Sequence, residues 1–283
     1  MPEFTDAHGV RIVYDVYPAS GAVRGVVQLL HGVGEHAGRY TALAEALVAA
    51  GFTVYADDHR GHGRTGMAQH AGDADRLGRL GVGGHRAAVA AVRQLTDIIH
   101  DAHPGLPLVL LGHSWGSFLA QILFDAQPRD YSAVVLSGSS LRWPGSLNSG
   151  DLNKPWRGPD ATGVEWLATD PAVGQAFLDD PLTTVKTLPQ LFGIRDTLRL
   201  LGRPRRNLGI DVPMLLMVGR DDTVGGPRAV HRLAEAYRSR SGLTDVTTLV
   251  YPDARHEIFN ETIQQQVRAD LLAWLDARFP VRA

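Results

Sequence analysis

The sequence predicts an α/β protein with a mostly parallel central sheet of about eight strands, flanked by helices. Short apolar runs alternate along the chain with longer segments whose apolar residues recur at helical spacing. Some of these runs, such as Leu108 to Leu111, are apolar throughout, as are strands buried on both faces of a parallel sheet. The alternation also stops once, between residues 141 and 207. Strands and helices that alternate in this way form parallel sheets through right-handed helical crossovers.

The first half of the chain supplies most of the predicted sheet. Arg11 to Tyr17 alternates apolar and polar residues and predicts an edge strand. The amphipathic segment at 40–50 predicts a helix that stops at Gly51, a residue typical of a helix C-terminus. The same patterns predict strands at 25–30, 52–56, 108–111 and 133–137, and helices at 84–100 and 115–127.

The interruption at 141–207 predicts an inserted, mostly helical cap. It contains Trp143, Trp156 and Trp166 among prolines and short helical fragments, one of them at 190–201. The stretch is too long for a loop and too apolar for disorder. We therefore expect a core formed by residues 1–140 and 208–283, completed by strands at 213–218 and 246–251 and helices at 227–238 and 262–278. The alternative is a peripheral helical unit that only shields the sheet.

Composition excludes several classes of function. The chain has 283 residues, is 44% hydrophobic and 20% charged, and carries a net charge of −2, with no basic cluster for a nucleic acid. It contains no cysteine, which excludes disulfides, a thiol nucleophile and a thiolate metal site. No run approaches the roughly 18 apolar residues of a membrane span, and no signal sequence is visible. We expect a cytoplasmic protein with at most transient contact with a lipid surface.

The segment from Pro107 to Phe124 has the layout of a nucleophile elbow. An apolar strand breaks at Gly-His-Ser-Trp-Gly, residues 112–116, and apolar residues then resume at helical spacing. In such an elbow the strand delivers a serine onto a strained turn, and the N-terminus of the next helix faces the reacting oxygen. The bare motif is weak, and the alternative is an ordinary turn with a buried serine. Its strand and helix context favours Ser114 as a nucleophile.

A serine nucleophile requires a base and an acid that orients the base, and later loops supply both. The strand at 213–218 leads to Asp221 and Asp222, and the strand at 246–251 leads to His256. Each could be an ordinary loop residue. Together they follow the chain order Ser, Asp, His of the α/β-hydrolase triad, at the sheet edge where such folds place their sites.

The loop after the first buried strand, residues 31–36, is the candidate oxyanion loop. The backbone N–H groups of Val33 and Trp115 are the predicted donors to the oxyanion. Six histidines lie in loops near this edge, but no pair has the spacing of a zinc motif, so we predict no metal and structural roles for them. They are His31, His36, His59, His62, His70 and His113.

These motifs resemble those of the monoacylglycerol lipase and lysophospholipase branch of the α/β-hydrolases, often labelled serine aminopeptidase-like. The resemblance spans nearly the whole chain and is carried by HGVGEHAGRY at 31–40, DHRGHGRT at 58–65, GHSWGS at 112–117, DDPLTT at 179–184, GRDDTVG at 219–225 and ARHEIFNE at 254–261. It implies an α/β-hydrolase fold and selects Asp222 over Asp221. Two residues depart from the family pattern: Trp115 stands where a small or flexible residue, often methionine, is usual, and Ser117 replaces a usual glycine.

We therefore predict a serine hydrolase of carboxylic esters, with Ser114, Asp222 and His256 as its triad. The resemblance implies a monoacylglycerol or lysophospholipid type of substrate and no cofactor. Acyl transfer or peptide hydrolysis by the same triad, or a silent ligand-binding protein of this fold, are the alternatives. The predicted substrate contacts are His31, Gly32 and Glu35 in the oxyanion loop, and Trp143 and Trp166 in the cap.

Overall fold

A computed structural model describes residues 1–148 and 150–280. Its centre is one eight-stranded sheet in the order β1-β2-β4-β3-β5-β6-β7-β8. The strands are β1 (Glu3–Thr5), β2 (Arg11–Tyr17), β3 (Gly25–Leu30), β4 (Phe52–Asp57), β5 (Leu108–His113), β6 (Ala133–Ser137), β7 (Met214–Gly219) and β8 (Val246–Tyr251). The strands from β4 to β8 in this order are parallel, whereas β2 is antiparallel to both β1 and β4.

The prediction of β2 as an edge strand is wrong. The short strand β1 pairs with the outer side of β2, with Phe4 opposite Ile12, so β1 is the edge strand. A three-residue strand is too short to produce a periodic pattern, so no sequence pattern predicts it.

Eight helices accompany the sheet in the described residues: α1 (Thr41–Ala49), α2 (Gly63–Gln69), α3 (Gly84–Ala102), α4 (Trp115–Ala126), α5 (Pro171–Asp179), α6 (Leu188–Leu198), α7 (Gly226–Ala236) and α8 (Gln264–Asp276). The helix α2 was not predicted. Its sequence, GRTGMAQ, contains two glycines and has little helical periodicity.

The sheet has a hydrophobic core on each face because side chains alternate along each strand. In β3, Val26 and Leu30 pack into the core that contains residues of α3, α4 and α7. Val27 and Leu29 of the same strand pack into the opposite core, with residues of α1 and α8. All six residues of β3 are buried, as the apolar run indicates.

Residues 141–207 lie between β6 and β7 and contain α5 and α6. The segment is anchored to the carboxyl edge of the sheet by backbone hydrogen bonds. Thr184 N–H donates to the Gly34 carbonyl at 2.8 Å, and Glu257 N–H donates to the Leu167 carbonyl at 2.7 Å. The segment therefore contacts the same edge at which the parallel strands end.

Candidate active site

Ser114 occupies the turn between β5 and α4. Its backbone is left-handed, with φ 53° and ψ −122°, a conformation that is strained for a residue with a side chain. Ser114 N–H donates to the Ser137 carbonyl at the end of β6, and the Ser114 carbonyl accepts the hydroxyl of Ser117 at 2.6 Å. Hydrogen bonds thus fix both the N–H and the carbonyl of Ser114. One of them comes from Ser117, which stands where the family usually has glycine.

The two glycines of the elbow are required by close backbone approach. A Cβ atom at Gly116 would clash with the carbonyl oxygens of Leu30 and His31 at the end of β3. A Cβ atom at Gly112 would clash with the carbonyl of Gly116. The G-x-S-x-G pattern therefore reflects how closely α4 starts against the neighbouring strand.

Asp222 and His256 meet at the carboxyl ends of β7 and β8. His256 Nδ1 lies 3.0 Å from Asp222 Oδ2, and both side chains are buried. The other Asp222 oxygen accepts the N–H of Val224 at 2.8 Å. Asp221 instead points to solvent with a side chain that is 54% exposed. Of the two adjacent acids, the structure places Asp222 against the histidine.

The imidazole of His256 turns its other nitrogen away from the acid. Nε2 is buried and has no hydrogen-bond partner among residues 1–148 and 150–280, so it is not bonded to the Ser114 hydroxyl. The ring packs on His113, the residue before Ser114, with ring centres 4.6 Å apart, and on Trp166 at 4.9 Å. Catalytic hydrogen bonds are often loose without substrate and tighten when it binds.

The environment of His256 favours its charged form. Burial by itself lowers the pKa of the imidazole, but the charge and hydrogen bond of Asp222 and the nearby carboxylates of Glu257 and Glu35 outweigh it. The pKa of His256 is therefore raised above its ordinary 6.5. An imidazole in this setting accepts a proton more readily than one in water.

The loop after β3 brings the candidate oxyanion donors beside Ser114. A Cβ atom at Gly32 would lie 3.1 Å from the Ser114 Cβ, so glycine lets the loop pass close to Ser114. Gly34 has φ +76° and its carbonyl accepts the N–H of Thr184. Val33, between these glycines, is partly buried. Its N–H and that of Trp115 at the start of α4 remain the predicted donors.

A buried ionic network braces this loop, and sequence reasoning missed two of its members. Arg39 donates to Glu35 Oε2 at 2.7 Å and to both oxygens of Glu257 at 2.6 and 2.8 Å. Glu35 Oε1 also accepts the N–H of Gly32 and the hydroxyl of Tyr40, each at 2.6 Å. Through Arg39, Glu35 in the candidate oxyanion loop is linked to Glu257, the residue that follows His256. The only sequence signal was their presence in the 31–40 and 254–261 motifs.

The five predicted substrate contacts differ in position. His31 uses both ring nitrogens within the protein, at the Gly32 carbonyl and the His59 N–H. Gly32 and Glu35 are joined by the hydrogen bond described above, and Glu35 is buried. Trp166 lies directly on the His256 ring, whereas Trp143 is 41% exposed under the guanidinium of Arg203. Trp166 is thus the member of the set that packs on a residue of the candidate triad, and substrate contact remains a prediction for all five.

The histidines near the site make hydrogen bonds within the protein. His36 Nε2 lies 2.8 Å from Asp180, and His70 Nε2 lies 2.9 Å from the Arg79 carbonyl. Within the described part of the chain, no group of three or more histidine or acidic residues is arranged to hold a metal ion. No helix of the described part is both long enough and apolar enough to cross a bilayer.

Comparisons with known proteins place this geometry in a family. The family model described as Serine aminopeptidase, S33 matches residues 21–263. A monoacylglycerol lipase of Mycolicibacterium smegmatis is 36% identical over 96% of this chain and 95% of its own, and the monoglyceride lipase of Homo sapiens is 28% identical over 98% and 91%. The crystal structure of a thermostable carboxyl esterase from Bacillus coagulans, in complex with glycerol, superposes with a TM-score of 0.83 at 25% identity, covering 98% of each chain.

The sheet order and the strand-to-helix turn define an α/β-hydrolase, which confirms the predicted fold class. The chain belongs to the serine aminopeptidase S33 family, as the motifs predicted. Its relatives support carboxylic ester hydrolysis as its class of reaction.

Proposed function

We propose that this protein hydrolyses carboxylic esters through Ser114, His256 and Asp222, with a monoacylglycerol or lysophospholipid as substrate. The observation that carries the proposal is the buried 3.0 Å contact between His256 and Asp222 at the edge where the strained Ser114 turn lies. The substrate class is supported by the 36% identical monoacylglycerol lipase and by the esterase that binds glycerol.

The reaction follows from the chemistry of these side chains. His256 Nε2 takes the proton of the Ser114 hydroxyl, and the serine oxygen attacks the ester carbonyl. Asp222 holds the proton on Nδ1 and stabilises the imidazolium, so Nε2 is the nitrogen that accepts. His256 then protonates the departing alcohol, and water repeats the two steps on the acyl-enzyme.

The tetrahedral intermediate carries a negative oxygen that needs fixed donors. We assign this role to the N–H groups of Val33 and Trp115, and loss of one such donor typically costs about 10²–10³-fold in turnover. Glu35 orients the loop that contains Val33, because its carboxylate accepts the N–H of Gly32. Glu257 secures the other side of the site through Arg39.

We also propose that residues 141–207 act as a cap that receives the acyl chain. Three contacts support this role. Trp166 packs on His256, Thr184 bonds to the oxyanion loop at Gly34, and Phe192 packs on Trp115 with ring centres 5.0 Å apart. An apolar surface so close to the scissile bond suits an aliphatic chain.

The test is ester turnover by the wild type beside Ser114→Ala. We expect the wild type to cleave monoacylglycerols and p-nitrophenyl esters and the variant to lose nearly all of this activity. A fluorophosphonate should label the wild type once, at Ser114. Ser241→Ala, which alters a buried serine bonded to the Arg205 carbonyl, is the matched control and should keep activity and labelling. Equal turnover by wild type and Ser114→Ala would refute the assignment of the nucleophile.

A further inference from the structure

A series of buried hydrogen bonds runs from the base of the cap to the nucleophile turn. Arg142 Nε donates to Gln121 Oε1 at 3.0 Å, and Gln121 Nε2 donates to the Ser139 hydroxyl at 3.0 Å. The Ser139 and Ser117 hydroxyl oxygens lie 2.8 Å apart, and Ser117 Oγ lies 2.6 Å from the Ser114 carbonyl oxygen. The four residues that supply these side chains are 0–4% exposed, so solvent does not screen the series.

The two ends of this hydrogen-bond series fix its direction. A guanidinium can only donate, and a carbonyl oxygen can only accept. Because each hydroxyl has one proton, Ser117 directs its proton to the Ser114 carbonyl, and Ser139 directs its proton to Ser117. All the donors therefore point the same way, from the cation of Arg142 towards Ser114. Hydrogen bonds aligned in this way polarise one another.

The Ser114 carbonyl is rigidly connected to the N–H of Trp115. The two belong to one planar peptide group, in which the C=O and N–H bonds point in opposite directions. The carbonyl points into α4, where it also accepts the N–H groups of Ser117 and Phe118 at 2.9 and 3.2 Å. The Trp115 N–H therefore points out of the N-terminal end of this helix. A proton donated to a peptide carbonyl polarises the whole group, which makes its N–H a stronger donor.

We infer that Ser117 is a positioning residue for the oxyanion donor, and that Ser139 acts through it. The inference rests on the proposed function, in which the Trp115 N–H binds the oxyanion, and adds the group that orients and strengthens this N–H. The effect is largest in the transition state, when the ester carbonyl oxygen becomes negative. The family's usual glycine at position 117 has no hydroxyl and cannot make this contact.

Arg142, at the start of the series, also holds both ends of the cap segment together. Its Nη1 donates to the Leu200 carbonyl at 2.8 Å, and its own carbonyl accepts the Gly202 N–H at 2.7 Å. The carboxylate of Asp125 lies 3.7 Å from its Nη2 and balances its charge. One buried guanidinium thus anchors the cap and begins the hydrogen bonds that end at the peptide group of Trp115.

The first test is ester turnover by Ser117→Ala. This variant lacks the hydroxyl but keeps both backbone hydrogen bonds to the Ser114 carbonyl, so we expect it to fold. Loss of one buried hydrogen bond should reduce kcat/KM for a p-nitrophenyl ester about 3–10-fold. Ser241→Ala is the matched control, since its buried hydroxyl also donates to a backbone carbonyl, that of Arg205, at 2.7 Å. It should leave kcat/KM unchanged.

Inhibitor binding separates this role from a merely structural one. An alkyl trifluoromethyl ketone accepts the serine oxygen at its carbonyl carbon, the serine proton passes to His256, and the ketone oxygen becomes negative. The primary alcohol of the same chain length binds without a negative oxygen. We expect Ser117→Ala to raise the Ki of the ketone by about the factor by which kcat/KM falls, and to leave the Ki of the alcohol unchanged. Equal changes in both constants, or none in that of the ketone, would overturn the inference.

A second variant tests whether Ser139 acts through Ser117. Ser139→Ala keeps the Ser117 hydroxyl but removes the donor behind it, so the Ki of the ketone should rise by less than in Ser117→Ala. The double variant should bind the ketone as well as Ser117→Ala does, because both changes interrupt the same series. Additive losses would refute this coupling. If Ser117→Ala fails to fold, an unchanged Ki of the ketone in Ser139→Ala would overturn the inference by itself.

The outcomes separate this inference from the proposed function. A wild type that cleaves the ester and binds the ketone, beside a Ser117→Ala variant that does both equally well, would overturn the positioning role while ester hydrolysis stands. A folded wild type that neither cleaves the ester nor binds the ketone would refute the proposed function, and the inference with it.

Discussion

The sharpest prediction concerns two neighbouring acids, Asp222 and Asp221. Asp222→Asn keeps the shape of the side chain that contacts His256 but removes its charge. The Asp222 and His256 side chains are 0% and 2% exposed, so solvent does little to screen them. With charges about 4 Å apart and an effective dielectric constant of about 20, the attraction is about 4 kcal/mol.

In the proposed reaction this energy acts on the transition state, because His256 becomes charged when it takes the serine proton. Its loss corresponds to about a 10³-fold fall in kcat. Asparagine also disturbs the Nδ1–H tautomer that leaves Nε2 free to accept, which acts in the same direction. The change should appear in kcat for a p-nitrophenyl ester, with circular dichroism and thermal melting showing that the variant is folded.

Asp221→Asn is the matched control, one residue away and exposed. We expect it to keep kcat within a few-fold of wild type. An equal or larger loss in Asp221→Asn, or a wild-type kcat in Asp222→Asn, would refute the pairing described for the site.

The remaining predictions concern pH and stability. The proposed base, His256, must be neutral to act, and its pKa is raised above the ordinary 6.5 of histidine. We therefore expect kcat/KM of the wild type to fall as the pH drops through a value above 6.5. A fall that begins only below pH 6.5 would contradict the raised pKa of His256. Arg39→Met leaves the buried carboxylates of Glu35 and Glu257 without their cation, so the free energy of unfolding in urea should fall by about 3–5 kcal/mol. An unchanged urea midpoint would show that the network does not stabilise the fold. Gly116→Ala places a methyl group against the backbone carbonyls of Leu30 and His31. We expect a loss of stability of about 1–3 kcal/mol, measured as a lower melting temperature. An unaltered melting curve would show that the elbow tolerates a side chain.

Much of the fold could be predicted because parallel strands are buried on both faces. The strands at 25–30, 133–137 and 246–251 were predicted with the bounds that the structure gives. The first two are buried along their whole length, whereas 246–251 lies at the end of the sheet, is only partly buried, and is marked by its β-branched residues. The periphery was harder, because β1 is too short to show a period and α2 begins at a glycine. Local patterns carry no information on such elements, which form through contacts with the rest of the molecule.

The residues of the candidate site could be predicted from the sequence, whereas the contacts between them could not. Loop positions after strands indicated Ser114, His256 and the acid pair Asp221 and Asp222, since the carboxyl ends of parallel strands share one edge. The residues alone did not distinguish the two acids, and it is the turn after β7 that directs Asp222 inward. The contacts of the Trp115 indole were also invisible, because they join rings from four separate segments of the chain.

The ion pair between Arg39 and Glu257 has a consequence for biosynthesis. Its partners are 218 residues apart in the sequence. While the ribosome is still producing the middle of the protein, the arginine and Glu35 already exist, but their counterpart has not been made. Domains form as units once their chain is available. A nascent polypeptide released before residue 256 would therefore lack both the proposed base, His256, and the clamp on the loop after β3, so we expect a truncated product to be inert rather than partly active.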